Sequence, residues 1–257
     1  MNDTVIDEEK MPLTDHLEEL RTRLIRVLIV LCVGFVLCFF FKERIFGIIM
    51  YPLEGVMPGE GSMIFTSLPE AFFTYLKVSF FAAIFLTSPY SLYQVWKFVS
   101  PGLYSSEKKY IVPFVVISSL FFIGGALFAY FLVFPLGFAF FLTFTTEFIR
   151  PMISMREYLG FTMKLLIAFA VVFELPIFMY FLARVGIVNS AILKKRRKYA
   201  ILVSFIVGAL LTPPDVVTQL LLAIPIIMLY ELSIWVIKKG EKKVSEEVRD
   251  GAGDSGT

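Results

Sequence analysis

The sequence predicts an all-α integral membrane protein with six transmembrane helices, the last two of them short. Two observations carry that expectation. Hydrophobic residues make up 58% of the 257 and charged residues only 18%, whereas a soluble domain has about 45–50% and about 25%. The excess is gathered into long apolar runs separated by short polar segments, which is the pattern of a polytopic helical protein rather than of one large soluble core. A mean hydropathy of +0.79 agrees.

The elements follow in order. Residues 1–23 form a polar segment in which Leu13, Leu17, Leu20 and Leu24 recur at helical spacing. An amphipathic helix is expected there, capped by Thr14 or Asp15 and continuous with the first span. The membrane domain, 24–237, opens with that span over 24–41. A loop over 42–68 contains Pro52, Pro58, Gly59 and Gly61. The second span covers 71–93, with Pro89 near its end. The third covers 110–132 or slightly more, around Gly124-Gly125, and the fourth covers 159–182, interrupted by Pro176. The fifth, 199–212, is about 21 Å of helix against roughly 30 Å of hydrocarbon. Such a short span implies a locally thinned bilayer or a helix pair sunk from one face. Pro213-Pro214-Asp215 turns the chain into the sixth, 216–237, which contains Pro225. The charged, Gly-rich tail, 238–257, reads as disordered. The segments differ in length and proline placement, so no internal repeat is visible.

Basic residues set the topology. Of the 24 Lys and Arg, 18 lie on the side of the N-terminal segment, the second and fourth loops and the tail. The other side has Lys42, Arg44, Arg150 and Arg156, while Lys77 and Lys164 lie inside spans. The positive-inside rule then places both termini in the cytoplasm. Asp3, Asp7, Glu8 and Glu9 make the start unlike a secretory signal, and a prokaryotic plasma membrane is expected. A net charge of +2 without a basic stripe argues against nucleic-acid binding.

Catalytic signatures are missing from the sequence. One histidine excludes an HExxH zinc site; there is no phosphate-binding G-x-x-x-x-G-K-[ST] and no G-x-S-x-G elbow. Cys32 and Cys38, six residues apart on one helix, suit neither a local disulfide nor a metal site. Neither enzyme activity nor a cofactor is expected.

Polar residues at membrane depth say more, because burying a charge there costs at least a few kcal/mol. Glu174 lies in Phe-Glu-Leu-Pro, two residues before Pro176. A protonated Glu174 can donate to the backbone ladder that the proline loosens; alternatively it is a polar spot on a concave surface that receives a guest. Lys77 and Lys164 fit snorkelling to an interface, and Glu231 reads as interfacial, close to Lys238. Glu19 and Glu107 stand among basic residues. An i,i+4 pair of Glu19 with Arg23, and a first-turn position for Glu107, are their structural readings. An ion-coupled small-solute transporter with Glu174 as proton carrier is the alternative from another class. It calls for matching halves and several midplane acids, and the sequence has one such acid and no halves.

Four motifs now stand together: His-Leu-x-Glu-Leu-Arg at 16–21, Phe-x-x-Pro-x-Leu-Tyr-x-x-Glu-Lys-Lys at 98–109, Phe-Glu-Leu-Pro at 173–176 and Leu-Thr-Pro-Pro-Asp at 211–215. In this order and spacing, over about 12–237, the chain resembles the TatC family, the multispanning receptor subunit of the twin-arginine protein translocase. The resemblance implies six helices in a curved, glove-like shape, with a concave face within the bilayer. It implies binding of twin-arginine signal peptides of folded precursors, assembly with single-span TatA- and TatB-type subunits, self-association, and export driven by the proton-motive force. The positions matching the signal-recognition site are Glu19, Leu20, Arg21, Phe98, Glu107 and Lys109. Glu174 matches the intramembrane glutamate, Pro52 and Asp215 match external positions, and Thr212 and Gln219 match positions where the single-span partners dock. Ser105-Ser106 depart from the basic or histidine residues frequent in relatives, which leaves Glu107 less neutralised locally.

Overall fold

The computed structural model describes residues 13–57, 63–64, 67–99, 111–146, 152–213 and 215–253, with side chains between 16 and 242 apart from 111. These residues are almost wholly helical. Helix α1 runs Leu13–Phe40, α2 Lys42–Glu54 and α3 Glu70–Val99. Helix α4, Ile111–Phe128, passes through a π-helical turn, Ala129–Val133, into α5, Phe134–Leu142. Then come α6 Met155–Phe173, α7 Leu175–Arg184, α8 Ser190–Lys195, α9 Arg197–Leu211 and α10 Val216–Gly253.

Among the described residues, five stretches are long and apolar enough to cross a membrane: 16–40, 70–99, 112–142, 155–184 and 216–242. Helix α9 has 15 residues, about 22 Å at 1.5 Å per residue, and falls short of a full hydrocarbon core. It is closely joined to α10. A Cβ added at Gly208 would stand 3.1 Å from the Gln219 carbonyl oxygen, so glycine is what lets the two backbones approach. A Cβ at Gly125 would meet the Phe169 carbonyl oxygen at 2.5 Å, and α4 crosses α6 at that point. The main core gathers Val78, Phe134, Leu159, Phe169, Ala170 and Leu222 from four helices, α3, α5, α6 and α10.

The structure departs from the sequence expectation in three elements. The connection 42–68 is not simply a loop: 42–54 is helix α2, because Ile45, Phe46, Ile49, Met50 and Leu53 recur on one face and pack into the core. The third span reaches Leu142, about ten residues beyond expectation, through the π turn just ahead of Pro135. The segment after 237 continues as helix to Gly253, where disorder was expected. Glu241 explains the start of that extension: its carboxylate accepts from the Ser190 backbone N–H (2.9 Å) and hydroxyl, tying α10 to α8.

Candidate functional site

Helices α1 and α3 run antiparallel, so the start of α1 meets the end of α3 at the end of the bundle where most basic residues collect. There the His16 ring stacks on Phe98, with centroids 4.3 Å apart and planes 19° from parallel. One helical turn further along α1, Glu19 accepts from Arg23 Nε at 3.0 Å, and Arg23 Nη2 donates to the same oxygen, Oε1. Arg23 Nη1 donates to Gln94 Oε1 at 3.2 Å, and Gln94 Nε2 donates to the Tyr90 hydroxyl at 2.8 Å. Leu20 and Arg21 are exposed beside this network, and Phe98 is half-buried. Of the six sequence-predicted recognition residues, four therefore sit at one corner. Glu107 and Lys109 lie outside the described residues.

Gln94 and Tyr90 were missed by the sequence reading. Their signal was weak: a lone amide in an aromatic-rich span end looks interfacial. Only the buried state of Gln94, facing a guanidinium from another helix, shows that it is a structural polar group. The corner offers what a guanidinium ligand needs, a carboxylate with one oxygen held and aromatic surface alongside.

Glu174 occupies the break between α6 and α7. Its Oε2 accepts from the Ser118 hydroxyl of α4, and Ser118 Oγ in turn accepts from Trp96 Nε1 of α3 at 3.0 Å. Its other oxygen, Oε1, is buried with no partner among the described residues. Among the described residues the carboxylate makes no bond to its own helix and reaches across to a neighbouring one. Ser118 is seven residues into α4 and Trp96 three from the end of α3, which puts this relay about 5–10 Å inside the basic end. Phe173 and Pro176, flanking Glu174 in sequence, line two apolar grooves against α10. One, of about 580 Å³, lies between Phe128, Phe173, Met228 and Trp235; the other, of about 540 Å³, lies between Phe121, Ile177, Tyr180 and Trp235. Glu231 is paired with Arg197 at 2.6 Å, not with Lys238, and both are well exposed.

The opposite end is built differently. Pro52 is buried inside α2 and has no N–H for the Ile48 carbonyl four residues back. Tyr130 donates its hydroxyl to that carbonyl at 2.5 Å, and Tyr158 donates to the next one, Ile49, at 2.7 Å. Glu70, buried at the first turn of α3, accepts from the Ser67 N–H (3.3 Å), the Ser154 hydroxyl (3.3 Å) and the Arg156 N–H (3.0 Å). It thus sits at the positive ends of both α3 and α6. Beside it a short parallel bridge joins Ile64 to Ser154. Sequence reading passed over Glu70, because its partners Ser154 and Arg156 lie more than eighty positions away. Asp215 caps α10: Oδ1 accepts from the Thr218 N–H at 2.7 Å and Oδ2 from its hydroxyl. Thr212 is buried, its hydroxyl donating to Gly208 at 2.9 Å, and Gln219 Nε2 donates to the Phe205 carbonyl at 3.0 Å. Thr212 thus closes the last turn of α9, and Gln219 ties α10 to α9.

Residues 15–225 match the model of the family described as Sec-independent protein translocase protein (TatC). The chain is 55% identical over 243 residues to the protein of that name from Desulforapulum autotrophicum, covering 94% of this chain and 90% of that one. It is 41% identical over 228 residues to the Escherichia coli protein, covering 89% and 88%. Among solved structures, it superposes on a crystal structure of the twin-arginine translocase receptor TatC with a TM-score of 0.78, at 41% identity over 87% of this chain and 98% of that one. A second such structure, in DDM, gives a TM-score of 0.80.

Proposed function

The chain belongs to the TatC family, and from that premise we propose that it is the receptor of a twin-arginine translocase, a multi-pass membrane protein that binds precursors rather than transforming them. It crosses the membrane six times, by α1, α3, α4–α5, α6–α7, the short α9 and α10, in a glove-like curve. Both termini are cytoplasmic, since 18 of the 24 Lys and Arg collect on their side, and the membrane is the prokaryotic inner membrane.

The observation that carries this reading is the α1–α3 corner. Glu19, Leu20, Arg21 and Phe98 are adjacent there, although the chain separates the first three from the fourth by more than seventy residues. A carboxylate at a membrane surface grips the planar, weakly hydrated guanidinium better than an ammonium point charge, so Arg-Arg is favoured over Lys-Lys. Glu107 and Lys109 complete this site from the following loop. The apolar part of the signal peptide then lies along the grooves beside Glu174, whose walls are mostly aromatic and aliphatic side chains. TatA- and TatB-type partners dock along the α9–α10 hairpin. Because Thr212 and Gln219 bond within that hairpin, they shape the surface the partners meet more than they touch it.

Equilibrium binding of a labelled twin-arginine signal peptide to the purified protein tests the reading. Glu19→Gln and Glu107→Gln weaken binding while the protein's amount in the membrane stays the same, and their effects are non-additive because one ligand meets both. Unchanged affinity in the double variant, with the protein folded, overturns it.

A further inference from the structure

We propose that Arg23 and Gln94 are positioning residues of the recognition site, holding Glu19 so that only its second oxygen meets the arriving arginine. The inference rests on the reading of Glu19 as a signal-peptide contact and goes one step further, to what orders that carboxylate and what selectivity follows.

The geometry is specific about which atoms are engaged. Two donors of Arg23, Nε and Nη2, converge on one oxygen of Glu19, Oε1. The remaining arm, Nη1, is held by Gln94 Oε1 at 3.2 Å. Gln94 is only 5% exposed, and its amide N–H group is fixed by Tyr90 at 2.8 Å. Tyr90, Gln94, Arg23 and Glu19 form a chain of bonds from the interior of α3 to the surface of α1. Lysine in place of Arg23 has one nitrogen and cannot serve both Glu19 and Gln94 in this spread geometry. The arrangement also differs from an ordinary surface i,i+4 pair, where both side chains move freely in water. Here one end is anchored in a buried amide.

Two consequences follow. A glutamate held before the ligand arrives loses less rotamer freedom on binding, which favours affinity. The fixed positive charge of Arg23 repels every incoming cation alike, so a ligand must recover that cost through directional bonds to Oε2. A guanidinium presents a planar fork of N–H donors to such an acceptor, and an ammonium does not. The pair of Arg23 and Gln94 thus turns a merely anionic spot into one that distinguishes arginine from lysine.

The test compares binding of a signal peptide carrying Arg-Arg with the same peptide carrying Lys-Lys, using the full-length protein in detergent or nanodiscs. Arg23→Lys and Gln94→Leu keep the net charge of the corner. Each is expected to weaken Arg-Arg binding about tenfold, the scale of one charge-assisted hydrogen bond, while Lys-Lys binding changes less than about threefold, so the ratio collapses. Gln94→Glu retains an acceptor facing Arg23 and retains the ratio. A general structural role would instead lower both affinities together, and that outcome overturns the proposal. So does an unchanged ratio in both variants while Glu19→Gln still weakens Arg-Arg binding; in that case the reading of Glu19 survives. If Glu19→Gln itself has no effect, the reading of Glu19 falls first and this inference falls with it.

Discussion

The two ends of the bundle use polar side chains in opposite ways. At the end holding Pro52 and Glu70, polar groups serve each other: Tyr130 and Tyr158 cover carbonyls of the proline-containing turn, and one carboxylate of Glu70 collects three donors from two segments. At the basic end, Glu19 has one oxygen engaged by Arg23, and Leu20 and Arg21 stand exposed beside it. The difference teaches how to tell a scaffold from a receptor in a protein with few polar residues. Buried polar groups whose bonds close on one another brace the fold, whereas a group held in place with an acceptor left over is equipped for a ligand.

The contrast is breakable, and the largest effect is expected at the closed end. Glu70→Leu leaves Ser67, Ser154 and Arg156 donors without their acceptor, and is expected to lower stability by roughly 2–4 kcal/mol. Thermal unfolding of the purified protein in detergent, followed by loss of the monodisperse peak, measures it. A shift indistinguishable from wild type would remove the distinction between the two ends. Tyr158→Phe deletes one buried bond to Ile49 and should lower stability by about 1 kcal/mol, read in the same assay. Tyr130→Phe should cost less, since that bond is exposed.

Glu19→Gln sharpens the comparison from the other side. Its stability should fall by less than about 1 kcal/mol, because Gln keeps an oxygen acceptor for Arg23, while signal-peptide affinity falls about tenfold or more. Smallest of all is Arg197→Gln, which breaks an exposed pair with Glu231. It is expected to change stability by less than about 0.5 kcal/mol; a larger loss would show that the α9–α10 hairpin depends on that pair, and not on Gly208 and Gln219.

How much of this was legible in the sequence follows the range of the forces involved. Hydropathy reports on stretches of about twenty residues, so the long spans appeared in sequence to within a few residues at most ends. Shorter-range competition decided the misreadings. Helix α2 was hidden because Pro52 reads as a loop signal until Tyr130 is seen to serve the carbonyl it frees, with Tyr158 on the next one. The helical continuation after 237 depends on Glu241 reaching Ser190, fifty-one residues earlier. Of the candidate site, Glu19, Leu20, Arg21 and Phe98 were found by motif, and so was Glu174. Gln94, Tyr90, Ser118 and Trp96 were not, because an isolated polar or aromatic residue in a span has no local signature.

By itself the sequence determined that this chain lives in a membrane, roughly where it crosses, and which family it joins. Those properties rest on composition summed over long windows and on motifs that lie within a few residues of one another. Only the tertiary structure decided what each polar side chain does. Whether Glu70 gathers Ser154 and Arg156, Glu174 answers to a serine two helices away, or Arg23 is anchored by Gln94 depends on hydrogen bonds between atoms that the chain itself separates. Such bonds have no range along the sequence, and in an apolar interior each must find its partner in space.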